Sequence, residues 1–164
     1  MDDRAEISTA KDAADHELIL AFGRLQGAAN RLEYILGRAI ERECGISHLM
    51  FEVLLILGRA GAPGLSMGAI GQEQVLTTGG VTRLVDRMQM AGLVERANDP
   101  DDRRGRIVRL TPLGEQTVVH ASRVHVENIE RYFLEPLPAS HRARFMEDLR
   151  ILSHSARDVL PRLR

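Results

Sequence analysis

The stretch LTTGGVTRLVDRMQMAGLVER, residues 76–96, opens on two threonines and two glycines and then settles into an apolar rhythm of threes and fours. Val81, Leu84, Val85 and Met88 fall at i, i+3, i+4 and i+7, the spacing of one buried helix face, and Thr82, Arg83, Asp86 and Arg87 point elsewhere. Thr77 is placed to cap this helix, its hydroxyl taking a free amide of the first turn. Gly79 and Gly80 weaken the helix by roughly 1 kcal/mol each relative to alanine. They also let the backbone come close to a partner, and a helix N-terminus offers amides and a positive dipole to phosphate. A loosely capped helix start is the plain alternative, so the flanking segments must decide.

Downstream, LVERA and RIVRLT read as two strands of alternating character around the turn-rich loop NDPDDRRG. Arg103, Arg104, Arg106 and Arg109 crowd this hairpin, interleaved with Asp99, Asp101 and Asp102. Such a run is usually a solvated face. Alternating carboxylates and guanidiniums also suit a rigid tip that leaves one or two arginines free for a narrow minor groove. Upstream, Ser66 is placed to cap a short helix through about Gln74, with Met67 and Ile70 inward. Two helices joined by a short turn and followed at once by a charged hairpin describe a winged helix-turn-helix.

The rest of the chain is helical. Leu18, Phe22, Leu25, Ala29, Leu32, Leu36 and Ile40 hold helical steps over residues 16–41. After Gly45, Ser47 caps a second helix whose residues 49–57 are nearly all apolar, and GRAGAPG ends it. Thr111 and Pro112 start a helix running to about Phe133. EPLPAS breaks it, and a last helix from Ser140 carries Phe145, Leu149, Leu152 and Leu160. The long end helices lack neighbours within one chain for their apolar stripes, so a homodimer is expected. The fold class is therefore mainly α with a small β-hairpin. Residues 1–13 form a flexible tail and residues 14–164 a single domain, in which 14–46 and 112–164 are dimerisation helices and 47–111 a DNA-binding lobe.

Composition narrows the function. The 164 residues suit one core, with 4% aromatics and no tryptophan, a profile that favours helices over a β-sandwich. Net charge is −1, so the overall field does not announce nucleic acid. Lys11 is the only lysine among 22 basic residues; a GC-rich genome explains that ratio, and placement has to carry the reading. No stretch approaches the ~20 apolar residues of a membrane helix. Asp2, Asp3 and Glu6 do not suit a secretory leader, which gives the expectation of a cytoplasmic protein without a membrane partner. One cysteine, Cys44, builds no disulfide framework. There is no nucleophile elbow, metal-binding pair or phosphate loop, so neither an enzyme nor a cofactor is expected.

At this point a resemblance becomes specific. VTRLVDRMQMAGLVER followed by DPDDRRGRIVRLTPLG resembles the recognition helix and wing of the MarR family of bacterial transcriptional regulators. Asp102, Arg103 and Arg104 match its D-R-R, and Leu110, Thr111 and Gly114 its closing L-T and glycine. The resemblance implies a homodimer on double-stranded DNA, with recognition helices in successive major grooves of a pseudo-palindromic operator and wing tips in flanking minor grooves. Carried over by residue, Ser66, Thr77, Thr78, Gly79, Thr82, Arg83 and Arg87 meet phosphates or base edges, and Arg103, Arg104 and Arg106 belong to the wing. Arg83 is the first choice for base reading, because arginine to guanine is the commonest specific contact. The resemblance also implies that Asp86 pairs with Arg104 to brace the wing. One departure stands out: Gln74 and Val75 occupy positions where the family has leucine and glycine, which implies a shorter first helix or a different turn.

Family resemblance further implies a repressor released by a small aromatic or anionic effector in a cleft between the dimer helices and the lobe. Arg24, Arg31, Tyr34, His48 and Met50 are the candidates to line it, each also readable as an ordinary surface or packing residue. The tryptophan associated with urate-responsive relatives is absent. A metal- or oxidant-responsive regulator is the alternative, through Cys44 or the histidines. His120 and His125 are poorly spaced for one face, and His16, His48, His141 and His154 could cluster only through folding. A winged helix that binds protein instead of DNA is the reading from another class; it would need no arginines on both helix and wing.

Overall fold

The computed structural model describes residues 7–99 and 105–159. Its helices are α1 (Ala10–Asp15), α2 (Glu17–Cys44), α3 (His48–Ala60), α4 (Met67–Glu73), α5 (Thr78–Met90), α6 (Pro112–Ile129) and α7 (Ala139–Val159). Three strands, β1 (Leu65–Ser66), β2 (Val94–Asn98) and β3 (Arg106–Leu110), form an antiparallel sheet in the order β1-β3-β2. The register sets Val94 opposite Leu110, Arg96 opposite Val108 and Asn98 opposite Arg106. Leu65 lies opposite Val108 on the other edge.

Local chemistry explains most element ends. The hydroxyls of Ser47, Ser66, Thr77 and Thr111 accept from the amides of Met50, Ala69, Gly80 and Gly114 at 3.2, 3.1, 3.3 and 3.0 Å. These are the N-caps that Ser and Thr favour. Gly45 ends α2 in the left-handed region, at φ 69°. The expected flexible tail of residues 1–13 is corrected at its end, where α1 forms. The Asp12 amide donates to the Thr9 hydroxyl at 3.1 Å and the Thr9 amide donates back to the Asp12 carboxylate at 2.9 Å, a reciprocal box that nucleates a short turn. The sixth helix also differs, because a π-helical turn (Glu130–Leu134) follows Ile129 before the break.

One core lies under the centre of the chain. Ile40 from α2, Phe51, Leu54 and Leu57 from α3, Ile70 from α4, and Val81, Leu84, Val85 and Met88 from α5 are all buried. Val94 and Val108 from the sheet and Ala121 and Val124 from α6 complete it. Each large side chain removed from water there contributes about 1.5–3 kcal/mol. The ends of the chain are different. Leu18 and Phe22 of α2 are 74% and 60% exposed, and among the described residues α7 contains no buried one. Phe133 and Phe145 meet at a tilt, 5.7 Å between ring centres, which ties the π-helical turn to α7.

Candidate nucleic-acid interface

Helices α4 and α5 make a tight pair. A Cβ on Gly71 would stand 3.1 Å from the Val81 side chain, so the two helices meet where α4 has no side chain. The turn between them keeps the shape a glycine would supply. Val75 adopts φ 52°, and the Leu76 amide donates to the Gly71 carbonyl at 2.9 Å, the long hydrogen bond of a Schellman ending. The departure at Gln74 and Val75 therefore leaves the turn intact and places a strained β-branched residue in it.

The four expected inward positions of α5 are buried, and the opposite face is open. Thr77 caps the helix, Thr82 donates its hydroxyl to the Thr78 carbonyl at 3.0 Å, and Arg83 Nε donates to the Gly79 carbonyl at 3.3 Å. That last bond folds the Arg83 guanidinium toward the helix N-terminus. Arg87 is exposed on the same helix. A Cβ on Gly79 would meet nothing within 4 Å, so the fold itself does not require glycine there. Along α5 runs an open groove of about 630 Å³, lined by Leu49, Leu76 and Leu84 and edged by Arg83, Asp86 and Arg87.

The wing is braced from its base. Asp86 pairs with Arg96 of β2 at 2.6 Å, and Arg96 also donates to Gln89 at 2.9 Å, which fastens α5 to the hairpin. The expected partner Arg104 lies outside the described residues, as does Arg103; within them Arg96 braces Asp86, because β2 follows α5 closely and brings Arg96 beside it. Arg106 is exposed at the mouth of the hairpin, where the Asp99 amide donates to the Gly105 carbonyl at 3.0 Å. Arg96 and Gln89 were missed in the sequence; a ten-residue separation across a helix end is no local signal. Ser66 is exposed but engaged as the α4 cap.

The joint between wing and α6 explains the closing L-T and glycine. Thr111 donates its hydroxyl to the Gly92 carbonyl at 2.5 Å, its amide to Leu93 at 3.1 Å, and accepts from Gly114. A Cβ on Gly114 would fall 1.9 Å from the Leu93 carbonyl oxygen, so no other residue fits.

The effector candidates do not converge within the chain. Arg24, Arg31 and Tyr34 stand exposed along α2, with the Arg31 guanidinium folded over Gly27, and Met50 packs on the core. His48 instead meets His125, with ring centres 5.4 Å apart. Among the described residues no three His, Cys, Asp or Glu side chains are grouped to hold a metal ion. Burial, and then the charge of Glu43, push the Cys44 thiol up, away from the thiolate that reacts with oxidants. No helix of the described chain is long and apolar enough to cross a membrane.

Helix pair, hairpin and open arginine-bearing helix face together define a winged helix-turn-helix with a DNA-binding fold. Relatives carry the assignment one level further. A model of the MarR family matches residues 45–105. The transcriptional regulator PecS of Dickeya dadantii is 30% identical over 67% of this chain and 68% of its own. The transcriptional activatory protein BadR of Rhodopseudomonas palustris is 36% identical over 63% and 61%. Sco3205 of Streptomyces coelicolor, a MarR family regulator solved in complex with DNA, superposes with a TM-score of 0.74 at 24% identity, covering 93% of this chain and 92% of that one. The chain belongs to the MarR family of transcriptional regulators. It spans between 43% and 68% of the length of these curated relatives and of YcgE from Bacillus subtilis.

Proposed function

We propose that the protein is a homodimeric regulator that binds a pseudo-palindromic DNA operator sequence-specifically and represses transcription until a small anionic or aromatic effector releases it. The observation that carries this reading is the outer face of α5. Gly79 is free of any packing role, and Thr77, Thr78, Thr82, Arg83 and Arg87 are exposed beside it on one helix. A helix start stripped of side chains at its second and third positions can press its amides onto phosphate while arginines further along reach base edges. Arg106 and the wing arginines then serve the flanking minor groove.

Dimerisation through residues 14–46 and 112–164 is supported by the bare N-terminal half of α2 and by α7, where Met146, Ile151, Leu152 and Val159 are exposed. Residues 47–111 serve as the DNA-binding lobe. The groove beside α5 supports an effector that competes with DNA, since its apolar lining and two rim arginines suit a small aromatic carboxylate. Repression needs only that a bound dimer exclude polymerase. BadR is named an activatory protein, so the direction of control is to be read in a promoter assay.

The test is selection of a duplex from random sequence, followed by anisotropy titration against mixed-sequence competitor. A regulator of this kind prefers its site by about 10³-fold or more, and its log affinity falls with log salt at a slope of about −0.9 per phosphate neutralised. Binding no tighter than to competitor overturns the reading.

A further inference from the structure

Where α2, α3 and α6 meet, three rings are packed together. His48 opens α3 and lies against α2, close enough that a Cβ on Gly37 would stand 3.3 Å from the His48 Cβ. His125 of α6 faces it at 5.4 Å between ring centres, and the edge of buried Phe51 meets His125 at 4.9 Å. His125 Nδ1 is buried and has no hydrogen-bond partner. We propose that this histidine pair makes the seating of α6 on α3, and with it DNA binding, sensitive to acid, the neutral pair holding the helices in the binding arrangement and protonation forcing them apart. The DNA arm rests on the function proposed above.

Among the described residues no acceptor meets His125 Nδ1 to compensate a proton there. From α2 the pair meets Gly37, and the neighbouring Arg38 and Glu41 are closed on one another at 2.6 Å. From α3 it meets Phe51, and on α6 the Asn128 amide is engaged with the Val124 carbonyl at 2.7 Å. Burial, and then the charge of His48, lower the His125 pKa, and Cys44 of α2, Glu52 of α3, and Arg123 and Glu127 of α6 are not among the causes of that shift. The sign follows. A histidine whose folded pKa lies below its unfolded value contributes stability above about pH 6.5 that is lost as pH falls through the folded pKa.

DNA binding makes the prediction distinctive, because acid has the opposite effect on an ordinary binder. Acid adds positive charge to a protein, which by itself strengthens attraction to phosphate. A loss of affinity in acid therefore has to come from a structural change.

The experiment is a titration of the full chain with the selected duplex at pH 7.5 and 5.5, for the wild type and His125→Phe, together with thermal melting over the same range. Wild-type affinity is expected to fall about tenfold and its melting temperature to drop below pH 6.5. His125→Phe, which keeps the ring against Phe51, is expected to bind as wild type at pH 7.5 and to lose both responses. Identical pH profiles for the two proteins overturn the proposal. Should His125→Phe fail to fold, the imidazole NMR titration of the wild type decides: His125 titrating below 6.5 supports the proposal, and at or above 6.5 overturns it. If no duplex is bound at either pH the function above falls, and the melting profiles alone decide the acid response.

Discussion

The centre and the ends of this chain satisfy their apolar side chains in opposite ways. Leu54, Ile70, Leu84 and Met88 lie in a core drawn from five helices and a sheet, all within one chain. Leu18, Phe22, Ile151 and Leu152 are equally apolar and are mostly exposed. The amphipathic patterns are similar, so the difference is not one of helix formation. It lies in what the chain supplies to cover each stripe: the centre is covered from within, and the ends are left open, a surface that the proposed dimer would bury.

The largest effect tests that contrast directly. Leu54→Ala should lower the unfolding free energy by about 2–5 kcal/mol, read from urea denaturation. The double variant Leu18→Asp, Phe22→Asp should leave helical circular dichroism in place and convert the protein to monomer in sedimentation equilibrium. A double variant that unfolds the centre instead would break the division between the two regions. Next comes Arg83→Ala, which should weaken specific DNA binding by about 1–3 kcal/mol while leaving the melting temperature alone. Asp86→Ala should cost less, about threefold to tenfold in affinity, because its partly exposed pair with Arg96 orients the wing and contributes about 1 kcal/mol or less to folding. The smallest effect is the most discriminating. Gly79→Ala should stabilise the fold by several tenths of a kcal/mol, up to about 1, and yet weaken DNA binding; tighter binding would remove the reason given for that glycine.

How legible this was depended on the distance over which each feature is determined. The caps at Ser47, Ser66, Thr77 and Thr111 were readable because each is a bond to an amide three residues on. The buried face of α5 was readable from its period. Strand β1 was not, since its two residues become a strand only by pairing with Val108 and Ile107, some forty positions away. Of the brace, Asp86 is legible, whereas Arg96 joins it only when the chain folds back at Gly92. Val75 was noticed as a departure, although its conformation could not be read from a valine. The His48–His125 contact was not legible, because nothing local in the sequence links two helices that meet only in the fold.

The joint at Thr111 and Gly114 has a mechanical consequence. With Gly114 seated on the Leu93 carbonyl and Thr111 bonded to both Gly92 and Gly114, the hairpin and α6 are welded at a single fulcrum. A five-residue strand extends about 17 Å from it at ~3.3 Å per residue. A tilt of α6 by roughly 10° would then swing the strand's far end by about 3 Å, comparable to half the ~6 Å width of a minor groove. A small rotation at one end of this lever is large enough at the other to lift an arginine out of the minor groove proposed for it.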